Sequence, residues 1–427
     1  MTTEPRTDRR ELRDGRTIAL LRAGFLRLAS VLLLLGLGAC SSDAQEPGSD
    51  LVISSDPELR SLAAEILPGL AARASMELVE PVRIERRSRS ELVAYLRHKL
   101  DEELPADEAR QTVRVYAMLG LVEPDLDLRG LLLDLYTEQV AGFYEPDSTA
   151  LFVMEDQPRE ALESLLLHEL VHAVQDQTAD LDALTSADLG NDRAAAAHAA
   201  VEGHATLVML EFMMERMTGQ AVDLASVPGI ADHLLPAVDG MEAQFPALAG
   251  APAVIRRSLL FPYVQGAGFV QGLWSTEGRV APFGEWLPAS TEQVMEGRLD
   301  DPPMDMRIDV VGGDVLHEDV LGRLELQVLV ETHVGAEAAG LAEGWGGDRY
   351  ALVEPASGGD AALIWVSVWD DEPARDRFVE GFVAAMDRFG ADAALRPATV
   401  EGRAGAVLTV GPVDGLDLTF RVGAPDR

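Results

Sequence analysis

The chain has 427 residues, 47% of them hydrophobic and 25% charged, with a formal net charge of −37. That composition describes a globular protein of two or three domains with ample core. A surface this acidic repels phosphate backbones and anionic headgroups, so no nucleic-acid partner is expected, and the single cysteine, Cys40, excludes an intramolecular disulfide.

The N-terminus reads as an export signal. The first 39 residues carry seven Arg against four acidic residues, so the remainder is more acidic still. Arg9, Arg10, Arg13, Arg16, Arg22 and Arg27 precede the apolar run Leu28-Ala-Ser-Val-Leu-Leu-Leu-Leu-Gly-Leu-Gly-Ala39. That run is too short to span a bilayer and has the form of a secretory signal, residues 1–39. Leu37-Gly-Ala-Cys40 resembles a bacterial lipobox, although Ala-Gly is the usual middle pair. The resemblance implies lipidation of Cys40, hence an exported lipoprotein anchored to the cell envelope, in the outer membrane or periplasm of a Gram-negative cell, where Ser41 favours the outer membrane. Residues 40–56 are small and polar and read as a flexible tether.

Residues 57–138 predict three or four helices. One covers Ser90–Leu104, begun by Ser88 or Ser90 and stopped before Pro105; others cover Asp107–Leu121 and Asp127–Val140. Alternating apolar residues on either side of Pro146-Asp-Ser predict a hairpin, Ala141–Glu145 and Ala150–Met154. A long helix starts near Pro158. A polar loop over 176–192 leads to a second long helix, Arg193–Thr218, ended by Gly219. Prolines 228, 236, 246 and 252 break residues 223–257 into short helices, and Phe261–Trp274 predicts a glycine-spaced helix able to pack closely on a neighbour. A proline-containing stretch from Pro282 to Pro303 closes this domain. Beyond it, Leu321–His333 and Ala374–Phe389 read as helices. Tyr350–Glu354, Ala361–Trp369, Ala406–Val410 and Leu416–Val422 read as strands. His317-Glu318 reads as a helix-start pair and Gly344-Trp-Gly-Gly-Asp348 as a turn. The pattern is α+β and mainly helical, with a domain over 57–303 and a smaller α+β domain over 304–427 whose role the sequence does not show.

The chemistry centres on His168-Glu-Leu-Val-His172. On an uninterrupted helix the two His, four apart, share a face, two imidazoles so placed suit one Zn²⁺, and Glu169 is placed to reach a metal-bound water as general base. A hydrolytic zinc needs a third ligand. The class with Gly three and His six residues after the second motif His is excluded, because Gln175 and Thr178 stand there. The other common arrangement takes a Glu from a second helix, and Glu202 follows His172 by thirty residues. His198, one turn before Glu202, competes as ligand or supporting partner. His204 reads as a partly exposed helix residue.

His168-Glu-Leu-Val-His-Ala-Val-Gln-Asp176 is similar to the active-site helix of the gluzincin, thermolysin-like metallopeptidases. The resemblance implies a zincin-like domain built on a short sheet, the motif helix and a Glu-bearing helix, with Glu202 as third ligand and Asp176 supporting a ligand from behind. Thr206 stands where that group has an Asp four residues after its Glu ligand. Glu138-Gln-Val-Ala-Gly-Phe-Tyr-Glu-Pro146, Val201-Glu-Gly-His-Ala-Thr206, Phe261-Pro-Tyr263, Ser290-Thr-Glu-Gln-Val294 and Gly344-Trp-Gly-Gly-Asp-Arg-Tyr350 resemble a largely uncharacterised family of bacterial and archaeal zinc metallopeptidases, often lipoproteins. The resemblance would span most of the chain after residue 85. Met295-Glu296 replace that family's usual His-Pro, so no His role carries over.

The expected activity is peptide-bond hydrolysis in the cell envelope. Zn²⁺ lowers the pKa of its bound water to about 7, Glu169 takes the water proton and returns it to the leaving amine, and a donor stabilises the oxyanion. Tyr144 and Tyr263 are the donor candidates. By resemblance to zincins, the strand Leu151–Met154 is expected to bind extended peptide along its edge. The alternative is a non-catalytic envelope lipoprotein that keeps the fold for binding or assembly.

Overall fold

The computed structural model describes residues 49–186, 189–242 and 244–423. The expected signal, Cys40 and most of the expected tether lie outside the described residues. The end of the tether is not tether: Ser49–Leu51 form a 3-10 turn and Val52–Ile53 a strand, β1. Val52 is buried, with Leu51 partly buried beside it, and these two side chains draw the segment onto the sheet.

Helix α1 (Pro57–Arg73) starts where the Asp56 carboxylate accepts from the Glu58 and Leu59 amides. The strand β2 (Val82–Arg87) follows. Helix α2 (Arg89–Glu103) is set by a capping box between Ser88 and Glu91. α3 (Ala106–Met118) comes next, then α4 (Leu128–Gln139), capped by Asp127. The hairpin is present as β3 (Gly142–Glu145) and β4 (Ala150–Met154). Pro158 opens α5 (Arg159–Ala179), which carries the histidine motif and runs four residues into the expected loop. Helix α6 (Asn191–Thr218) ends at Gly219, whose φ of 68° is the left-handed stop glycine adopts readily. The shorter helix α7 (Ile230–Glu242) is followed by α8 (Ala253–Glu277) and α9 (Thr291–Glu296).

The first sheet has the order β1-β2-β4-β3; β2 joins β1 and β4 in parallel, and β3 pairs antiparallel with β4. β4 therefore lies inside the sheet, whose edge strands are β1 and β3. The expectation that Leu151–Met154 presents an edge fails because β2, which the sequence does not announce, occupies that side. Helix α5 lies on this sheet through Leu162, Leu165 and Leu166, packed with Leu151 and Val153.

The C-terminal region forms an antiparallel sheet of order β6-β7-β8-β10-β9, built from β6 (Gly313–Asp319), β7 (Trp345–Pro355), β8 (Ala362–Trp369), β9 (Ala394–Val400) and β10 (Arg403–Val410). A separate pair, β5 (Met306–Val311) with β11 (Asp417–Val422), covers one face through Met306 and Ile308. On the other face Trp365, Trp369, Phe378 and Phe382 stack between the sheet and α11 (Glu372–Phe382). Helix α10 spans Gly322–His333. His317 and Glu318 lie in β6, not at a helix start. Asp348 does that work from β7: its carboxylate accepts from the Leu321 and Gly322 amides at 2.9 and 3.1 Å. Of the expected turn Gly344–Asp348 only Gly344 lies in a turn; Trp345–Asp348 form the bulged start of β7.

One apolar core runs from Leu96, Leu132 and Leu135 in α2 and α4 to Leu329 in α10 and to Trp365 and Phe378. A buried polar seam reinforces it. Glu325 accepts from the Tyr116 hydroxyl (2.5 Å) and the Asn191 amide (2.7 Å), and Asp192 accepts from the Thr291 amide at 3.1 Å. Burial pushes the carboxyl pKa of Asp192 up to about 7 and that of Glu325 up to about 8. Among the described residues no helix is long and apolar enough to cross a membrane.

Candidate metal centre

Helices α5 and α6 bring three donors to one point. On α5 the rings of His168 and His172 meet edge to face, with their Nε2 atoms 3.1 Å apart. From α6 the Glu202 carboxylate lies 3.0 Å from His168 Nε2 and 3.3 Å from His172 Nε2. One ligand atom from each of the three lies within 4.8 Å of the others, and all three residues are buried. The fold holds this arrangement through a close helix crossing. A Cβ on Gly203 would stand 2.1 Å from the Gly266 carbonyl carbon, and one on Gly266 2.1 Å from the Ala199 oxygen. Only glycine fits either position, so α8 lies directly on the backbone of α6 beside Glu202.

The electrostatics suit a cation. Burial opposes ionisation of Glu202, yet the two imidazoles beside it hold its pKa below the usual carboxylate range. Burial lowers the pKa of His168. At His172 burial acts the same way but is outweighed, chiefly by the Glu202 charge, and the pKa rises to about 9. A buried carboxylate thus calls for a positive partner at this point, supplied by a ring proton or by a divalent ion. Two imidazoles and a carboxylate match the donor set of a catalytic zinc site. These three residues can therefore hold a metal ion.

Glu169 is fully buried and is not one of the three clustered donors. Burial, with the Glu202 charge adding, pushes its pKa up to about 8, and the backbone N–H of Tyr144 on β3 donates to it.

The remaining sequence candidates fall out as follows. Asp176 does not back a ligand; it accepts from the Tyr144 hydroxyl (3.0 Å) and the Leu181 amide (3.0 Å), tying the end of α5 to β3. The Tyr144 hydroxyl proton is thereby committed to Asp176 and is not an oxyanion donor. The Tyr263 ring lies 6.2 Å from that of His168, centroid to centroid, and stays at the site. His198 is buried one turn before Glu202 but outside the donor cluster. His204 is not a partly exposed helix residue: it is fully buried, edge-on to Trp274 and Phe283, and burial lowers its pKa to about 3. The residue that sequence reading missed is Gln175, whose Oε1 lies 2.7 Å from His172 Nδ1. Its spacing, three residues after His172 on the same helix face, was the available signal.

A family model described as a domain of unknown function, DUF8575, matches residues 309–426. That match covers β6 to β11 and leaves the metal centre outside it. No curated protein and no solved structure matches the chain.

Proposed function

We propose that the protein is a zinc-dependent metallopeptidase with a zincin-like catalytic region, exported and held at the cell envelope by a lipid on Cys40, and acting on peptide or protein substrates. The observation that carries the reading is the convergence of three buried donors from two helices, next to a second buried acid, Glu169, that is not among them. Nitrogen donors favour Zn²⁺ over Ca²⁺ or Mg²⁺, which prefer oxygen. His168, His172 and Glu202 would hold the ion. When bound, Zn²⁺ supplies Lewis-acid polarisation of the scissile carbonyl and lowers the pKa of water.

The proton work belongs to Glu169. Buried beside His168 in the sequence, its carboxylate would accept a proton from water and return it to the leaving amine. The Tyr144 amide, fixed in β3, holds that carboxylate in place. Tyr263 is the candidate donor to the oxyanion, and β3 offers a sheet edge for an extended substrate. A protein that only stored a cation would have no use for Glu169 here.

The test is the zinc content of the purified full chain. One equivalent in the wild type and none in His168→Ala is expected, with Glu169→Gln keeping zinc and losing hydrolysis of unstructured peptides. A wild-type chain that takes up no zinc removes the reading.

A further inference from the structure

Behind His172 lies a hydrogen-bonded chain whose polarity is fixed by a single backbone atom. The Gln175 side chain touches three groups: His172 Nδ1 at 2.7 Å, the Val201 carbonyl at 3.0 Å and His204 Nδ1 at 3.0 Å. A carbonyl oxygen only accepts, so the Gln175 atom facing Val201 is the NH₂ group. The atom facing His172 is then Oε1, which also only accepts. His172 must donate from Nδ1, which leaves the lone pair of its neutral ring on Nε2, the atom beside His168 and Glu202. The second NH₂ hydrogen goes to His204 Nδ1, so His204 accepts there and carries its own proton on Nε2. His204 cannot turn away, being fully buried between Trp274 and Phe283.

We propose that Gln175 is a positioning residue which, anchored by Val201 and His204, locks His172 in the tautomer and ring orientation that metal binding requires. The proposal rests on the metal-site reading above. It gives His204 a defined part although it is not a ligand, and it couples α5 to α6 by a second route besides the ligands themselves. Outer partners of this kind are worth about 10–100-fold in metal affinity.

The experiment uses the full-length chain, with Zn²⁺ affinity measured by chelator competition and site geometry by the absorption spectrum of the Co²⁺-loaded protein. Gln175→Leu should weaken Zn²⁺ binding by about 10–100-fold and alter the Co²⁺ bands. Gln175→Glu, which keeps an acceptor for His172, should recover most of that loss. His204→Phe should weaken binding in the wild-type background and have no further effect alongside Gln175→Leu, because the two act through one chain. Equal zinc affinity and an unchanged Co²⁺ spectrum in Gln175→Leu would overturn the positioning role while leaving the metal site standing. A wild type that binds no zinc overturns both. Should the Leu variant not fold, ¹⁵N spectra of the histidine-labelled, zinc-loaded wild type decide. His172 protonated on Nδ1 and His204 on Nε2 support the proposal; the opposite tautomer at either ring refutes it.

Discussion

Replacing Gly203 by Ala tests the helix crossing that delivers Glu202. The added Cβ would lie 2.1 Å from the Gly266 carbonyl carbon and 2.6 Å from the Ala267 nitrogen. Ordinary contact needs about 3.5–4.0 Å, so α8 must retreat from α6 by roughly 1.5 Å. The obstacle is backbone, and no side-chain rotation relieves it. Overpacking a core costs about 1–3 kcal/mol, and this case belongs at the upper end. At roughly 2–4 °C per kcal/mol, Tm should fall by about 6–12 °C. Glu202 is the adjacent residue, so the same retreat should loosen zinc binding by at least about tenfold. Calorimetry and zinc titration of the full chain measure both. Gly272→Ala on α8 is the control: its Cβ meets open space, so it should be neutral or stabilising by up to about 1 kcal/mol. If Gly203→Ala melts with the wild type, the two helices do not cross where the structure puts them, and the placement of Glu202 loses its support.

Three further outcomes follow from the same structure. Glu169→Gln should bind zinc like the wild type while peptide hydrolysis falls by about 10²–10⁴-fold; undiminished turnover would remove Glu169 as base. Asp192 and Glu325 keep protons in the folded chain that the unfolded chain releases, since their pKa values rise to about 7 and about 8. Their contribution is complete below the unfolded carboxyl pKa and is lost as pH climbs through the folded values, by on the order of 1 kcal/mol per pH unit for each group. Urea midpoints should therefore be higher at pH 5.5 than at pH 8, and the difference should shrink in Asp192→Asn/Glu325→Gln; a higher midpoint at pH 8 contradicts this. Finally, Glu211 is fully buried and is held by Arg279 through two hydrogen bonds, with Leu224 N–H donating to it at 2.7 Å. Arg279→Met strands that carboxylate and should cost about 3 kcal/mol in denaturant unfolding; a loss below about 1 kcal/mol would mean Arg73, 3.8 Å away, takes over the charge.

What the sequence made legible was local. Ser88 or Ser90, Asp127 and Gly219 marked helix ends because capping chemistry is confined to a few residues, and the structure shows Ser88 to be the cap. Pro146-Asp-Ser marked the hairpin for a similar reason. What stayed hidden depends on distant pairing. β2 shows only Val82 and Ile84 before three charged residues, and it becomes a strand because β1 and β4 flank it. β9 contains Pro397, which argues against a central strand, but β9 is the sheet edge, where a missing N–H is tolerated. His168 and His172 were readable from helical spacing. Glu202 was reached through spacing and resemblance; Gln175 had a spacing signal, three residues after His172, but its link across to His204 on the next helix leaves no periodic trace.

The continuous core from α2 and α4 into α10 bears on any attempt to divide the molecule. A cut near residue 303 would bare Leu132, Leu135 and Tyr116 on one piece and Leu329, Trp365 and Phe378 on the other. Neither fragment would be a self-sufficient folding unit, so the region matched by DUF8575 serves in this chain as a buttress for the half that carries His168, His172 and Glu202 and not as an appendage that can be shed.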